Sequence, residues 1–147
     1  MGVSIEEMRE LVGQPFPGGT FTIEPWESAL FTDVMESEPL PGDLAHPAYL
    51  FHAPLAGLGL RYGEIFAMCH AESDEAIRAG EYQWHIQQPL RVGRTYAMSG
   101  GITGVERKEG RRAGLMDVVT FRIDVADVAD DSPVAMVVNS WIFLRSS

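Results

Sequence analysis

The 147-residue chain holds one cysteine, one lysine and one asparagine. A single Cys69 cannot close an intrachain disulfide, which excludes a disulfide-stapled secreted domain. The same count excludes metal sites built on clustered thiolates. No run of 18 apolar residues occurs, so no helix is expected to span a membrane. The opening residues Met1-Gly2-Val3-Ser4 turn polar at once, without the basic and apolar regions of a leader. A cytoplasmic address is the default expectation. Positive charge is scarce too: 11 bases stand against 21 acids, a formal net charge of −10. That balance argues strongly against a nucleic-acid partner, because phosphate neutralisation needs a basic face. It also argues against docking on an anionic membrane.

What is present fits one globular domain over residues 1–147. Apolar residues make up 46% of the chain and charged residues 22%, both ordinary for a packed core. The charge is uneven. Residues 1–90 carry three bases and fourteen acids, a net of −11, and residues 91–147 carry eight bases and seven acids, a net of +1. Six of the eleven bases fall between Arg91 and Arg112. They form either a solvated hairpin or a local phosphate site on an otherwise acidic protein.

Local patterns divide the chain. Ser4 and Glu7 have capping-box spacing, and Ile5, Met8, Leu11 and Val12 then recur at helical period up to Gly13. Thr20 to Ile23 alternates as a short strand. Pro25 opens a helix whose apolar stripe is Trp26, Ala29, Leu30 and Val34. Residues 36–46 are loop by composition. From Ala48 to Cys69 the sequence is almost wholly apolar or small, and one long buried helix is expected, interrupted at Pro54. Gly57, Gly59 and Gly63 within it mark close approach of a backbone or ligand. Ser73 to Ala79 is expected as a short helix closed by Gly80. Alternation predicts a strand through Tyr82, Trp84 and Ile86. Further strands are predicted over Thr95 to Glu106, with a bulge at Gly100-Gly101, and over Leu115 to Val125 and Val134 to Leu144.

A helix buried nearly all round needs a curved sheet to wrap it. The expected class is therefore α+β: a hot-dog arrangement, with an antiparallel sheet rolled round a central helix. Its open edges predict a dimer.

Four segments carry a family resemblance: Leu11-Val12-Gly13-Gln14-Pro15-Phe16-Pro17, Ala45-His46-Pro47-Ala48-Tyr49-Leu50-Phe51, Gln88-Pro89-Leu90-Arg91-Val92-Gly93, and Asn139-Ser140-Trp141-Ile142-Phe143. In their order and spacing they resemble the MaoC-like (R)-specific hydratase/dehydratase hot-dog family. The resemblance implies addition or removal of water on acyl thioesters carried by coenzyme A or acyl carrier protein, with no further cofactor. Family members use Asp-x-Asn-Pro-x-His before the central helix and an oxyanion donor at its start. Asn139 is the sole asparagine, so that motif is missing here, and Pro47, with no N–H, stands where active members have Gly. The departure resembles the non-catalytic partner subunits or halves of this family.

The candidates follow. Asp43 and His46 are the nearest acid–base pair to the helix entrance. The N–H groups of Ala48 and Tyr49 stand as substitute oxyanion donors. His52 lies about 240° round a helix from His46, so the two do not form a metal site, and none is expected. Glu64 is the one acid inside the apolar segment: an Arg61 neighbour, or the base of a hot-dog thioesterase. His52, Arg91, Arg111 and Arg112 are substrate-binding candidates, the arginines for the carrier's phosphates. Three readings stand: a hydratase or dehydratase subunit needing a catalytic partner, in a homodimer or a heterodimer with another hot-dog chain; a thioesterase using Glu64 or Asp43; and a binding protein without chemistry.

Overall fold

Alternation of apolar and polar residues governs the C-terminal half, and it builds the frame of the molecule. The computed structural model describes residues 2–146. Its strands are β1 (Gly19–Thr22), β2 (Ile77–Ile86), β3 (Thr95–Gly110), β4 (Gly114–Asp127) and β5 (Pro133–Leu144). They form one antiparallel sheet in the order β1-β3-β4-β5-β2. Val119, Phe121, Ile123 and Val125 of β4 point to one face, with Val137, Trp141 and Phe143 of β5, and all are buried. Each fully buried side chain of this size contributes about 1.5–3 kcal/mol.

The helices lie on that face. They are α1 (Ile5–Arg9), α2 (Pro25–Val34), α3 (Tyr49–Ala56) and α4 (Tyr62–Met68). The Ser4–Glu7 capping box is formed at the start of α1, which ends at Arg9 rather than at Gly13.

The expected single helix from Ala48 to Cys69 is two. Pro54 does not break it: α3 runs on to Ala56. The break is at Gly57 to Arg61, where another stretch of backbone crosses. Gly18 N–H donates to the Leu58 carbonyl at 2.8 Å. A methyl group on Gly59 would sit 2.5 Å from the Gly18 oxygen, and one on Gly57 would sit 2.6 Å from Met98 Cγ. Gly59 marks close approach of a backbone, as expected, whereas the close neighbour of Gly57 is a side chain. Gly63 marks no close approach, since nothing lies within 4 Å of the position its methyl would take.

Two other expectations change. Residues 74–76 make a short 3₁₀ turn and β2 begins at Ile77, so Gly80 lies inside a strand. A side chain there would meet the Ser140 carbonyl at 2.5 Å. The extra residue of β3 is Thr103, because register shifts between Ile102 and Gly104, and not at Gly100-Gly101. Gly100 and Gly101 serve the crossing of residues 13–16 instead. Phe16 N–H donates to the Gly100 carbonyl at 2.7 Å, and a methyl on Gly101 would meet the Gln14 oxygen at 2.4 Å.

Candidate functional site

The segment before α3 is held by backbone pairing. Leu44 bridges Arg91, Ala45 N–H donates to the Leu90 carbonyl at 2.8 Å, and Val92 N–H donates to the Asp43 carbonyl at 2.6 Å. This pairing lays residues 43–46 beside residues 90–92. Between them, at the entrance to α3, lies a cavity of about 400 Å³. Leu40, Leu44, Ala45, Pro47 and Leu50 form one wall, and Ile86 to Leu90 form the other. No lining side chain is titratable. The second wall is the end of β2, an outermost strand of the sheet.

Of the predicted residues, Asp43, His46, Ala48, Tyr49 and Arg91 neighbour lining residues in the chain without lining the cavity themselves. Asp43 makes an ion pair with Arg91, so these two are brought together. Asp43 and His46 are not: the His46 Nδ1 accepts the Ala48 N–H at 3.0 Å. That bond puts the proton of a neutral His46 on Nε2. Its ring packs edge-on against Phe31. The proposed oxyanion donors are therefore engaged, Ala48 N–H with His46 Nδ1 and Tyr49 N–H with the His46 carbonyl at 3.1 Å. The Tyr49 ring is buried against Phe31, and no described group reaches its hydroxyl. Burial, then the charge of Glu27, pushes its pKa up. His52 is exposed, edge-on to Phe21.

Glu64 is exposed, and its Oε1 accepts the Arg61 backbone N–H at 3.1 Å. It caps α4. The guanidinium of Arg61 is not its partner among the described ion pairs. Cys69 is buried, and burial pushes its thiol up to about 12, so it is no thiolate nucleophile.

The six bases between Arg91 and Arg112 do not form one patch. Arg91 precedes β3, whereas Arg111 and Arg112 sit at its far end, about 50 Å away along the strand. Arg94 pairs with Asp127, Lys108 with Glu106, and Arg107 with Asp117. Arg111 and Arg112 are exposed at the hairpin tip, outside the described ion pairs.

The Arg107–Asp117 pair belongs to a cluster that sequence reasoning missed. Asp117 is fully buried and takes Arg107 on both oxygens, at 2.7 and 2.9 Å, and Arg145 at 2.8 Å. Arg145 also donates to the carbonyls of Cys69 and His70, at 2.7 and 2.6 Å. Those carbonyls lie just past the end of α4, where no helical partner exists for them. Nothing in the spacing of residues 107, 117 and 145 announces the contact. It depends on β3, β4 and the segment after β5 lying side by side. The cavity wall of Ile86 to Leu90 was likewise not among the candidate residues, although Gln88-Pro89-Leu90 belongs to a segment that carries the family resemblance.

No family model and no curated protein matches the sequence. Solved structures do. The ChsH1–ChsH2 complex of Mycobacterium tuberculosis is similar, with a TM-score of 0.70 at 15% identity over 98% of this chain and 95% of that one. A MaoC-like dehydratase gives 0.73 at 10% identity over 95% of this chain, but only 44% of its own. The HadBC 3R-hydroxyacyl-ACP dehydratase complex of M. tuberculosis gives 0.66 at 14% identity over 90% of this chain and 96% of that one. This is the hot-dog fold of the MaoC-like dehydratases. In this hot-dog chain the central helix is interrupted, with α3 facing the sheet and α4 continuing beyond the Gly57–Arg61 crossing. The cavity lies at the start of α3, beside the open β2 edge.

Proposed function

We propose that this hot-dog chain is one subunit of a hydratase of 2-enoyl thioesters, working in reverse as a dehydratase of 3-hydroxyacyl thioesters, and that a second hot-dog chain supplies the acid and base. The observation that carries this reading is the cavity before α3: it is apolar, free of titratable side chains, and beside an unpaired strand edge.

The chemistry needs a base to activate water, an acid to protonate the α-carbon, and donors aimed at the thioester oxygen. Here the Ala48 and Tyr49 N–H groups are already engaged, and Asp43 is held in an ion pair with Arg91. What this chain offers is a wall of Leu44, Leu50, Ile86 and Leu90 fit for an acyl group. A second copy brings no missing motif, which favours a heterodimer. The similarity to the ChsH1–ChsH2 and HadBC complexes supports the same view. Coenzyme A or acyl carrier protein is the carrier, and the reaction asks for no other cofactor. The thioesterase alternative would require Glu64 to leave its helix cap, or Asp43 to leave Arg91, and reach the cavity.

The test follows loss of enoyl absorbance with crotonyl-CoA and a longer enoyl-CoA. The purified chain alone is expected to be inactive. Activity is expected when it is co-purified with a hot-dog partner bearing Asp-x-Asn-Pro-x-His. In that complex Ile86→Trp should cut kcat/KM for the longer substrate by about tenfold and spare crotonyl-CoA. Activity of the chain alone that vanishes in Asp43→Asn or His46→Ala would overturn the partner-dependent reading.

A further inference from the structure

The α2 helix turns its apolar side outward. Its inner positions are Ser28, buried, and Glu27, Phe31 and Thr32, half-buried. The periodic stripe of Trp26, Ala29, Leu30 and Val34 is exposed, with Trp26, Leu30 and Val34 at 64%, 57% and 79%. A sequence that writes an amphipathic helix and a fold that leaves its apolar side bare are in conflict. Such conflicts mark functional surfaces. Met35 and Leu40 extend the patch, and Leu40 also lines the cavity before α3, so the exposed band reaches that cavity's mouth.

The surrounding charge selects the occupant. Glu24, Glu27, Asp33, Glu36 and Glu38 lie on α2 or within four residues of it, and no Lys or Arg occurs between Arg9 and Arg61. Glu27 faces inward, so two copies packed α2 to α2 across a two-fold axis would bring eight exposed acids to one seam, and Arg94, whose carbonyl accepts the Ile23 N–H beside α2, is already paired with Asp127. Like charge at that density opposes self-association through this face. Trp26, Leu30 and Val34 are spaced i, i+4, i+8 and form a single ridge about 12 Å long, which suits the groove of another helix.

We infer that the α2 face is a docking surface for an amphipathic helix of a different polypeptide, apolar along its centre and flanked by Lys or Arg. The surface does not depend on the thioester chemistry proposed above, and its test reads no activity.

The probe is a synthetic amphipathic helix of leucine and lysine, compared with one of the same pattern in leucine and glutamate. Binding to the full chain is followed by tryptophan emission, with Trp26→Phe identifying the reporter. The variant is Leu30→Gln/Val34→Gln. Both sites are exposed, and glutamine is a good helix former, so α2 is kept. The expected result is a blue shift with the lysine peptide that weakens as salt rises, and about tenfold or greater loss of affinity in the double variant. Equal binding by the variant, or equal binding of the glutamate peptide, would overturn the proposal. So would a self-associated wild-type chain that the double variant converts to a smaller species in sedimentation, because the occupant would then be a second copy.

Discussion

Asp117 is the residue on which the lower part of the molecule converges. Its carboxylate has no exposed surface and holds two arginines. Burial alone would push its pKa up, but hydrogen bonds from Arg107 and Arg145 outweigh it and hold the group below its ordinary value. A carboxylate lowered in the folded state contributes stability that is full above the unfolded value, near 3.9, and fades as pH falls through the folded value. Replacing one member of a buried charged cluster leaves the others unpaired, at a cost of about 3–5 kcal/mol. Asp117→Asn is therefore expected to lower the urea midpoint sharply at pH 7. The gap from wild type should narrow below pH 4. An equal gap at pH 7 and pH 3 would mean that packing, and not charge, sets the effect.

At the scale of elements, α4 invites a simple test. Gly63 sits in its first turn, exposed, with no neighbour that a methyl group would touch. Gly63→Ala should stabilise the protein by about 0.5–1 kcal/mol, read as a rise in melting temperature. No change or a fall would point to a contact made by that bare backbone. The helices also show where local pattern stops informing. Strand alternation was legible, and β3, β4 and β5 lie within a few residues of their expected spans. The stripe of α2 was legible as a stripe, but its direction was not, because periodicity states which residues share a side and not what that side faces. The split between α3 and α4 was hidden for a similar reason. Pro54 looked like the breaker, and the actual cause is the crossing of Gly18 over Leu58, some forty residues away in sequence.

For the whole molecule, protection should follow the sheet order. β4 and β5 are paired on both sides and carry nine buried apolar residues, whereas α2 is bare on one side. In native-state hydrogen exchange the amides of Phe121, Ile123 and Val137 should be among the slowest, and those of α2 should open at much lower free energy. Protection of α2 equal to that of β4 in the isolated chain would mean that its apolar side is already covered. The site was legible only as a neighbourhood. Asp43, His46, Tyr49 and Arg91 each adjoin in the chain a lining residue of the cavity before α3, yet its walls are Leu44, Leu50, Ile86 and Leu90. Apolar residues of that kind are indistinguishable from core in one dimension. Arg91 and Arg112, close in sequence, are parted by the length of β3.

The Arg145 clamp also fixes how this domain can be joined to others. It holds the segment after β5 against the α4 end, while Arg107 donates to the Val3 carbonyl at 2.8 Å. Ser146 N–H reaches Glu72, and a methyl on Gly2 would stand 3.7 Å from the Ser146 oxygen. Residues 2 and 146 thus leave from the same pole. A domain wired in this way can be inserted into a host loop like a bead on a hairpin, or re-cut at the Arg111–Arg112 tip with its old ends spliced, without stretching the sheet.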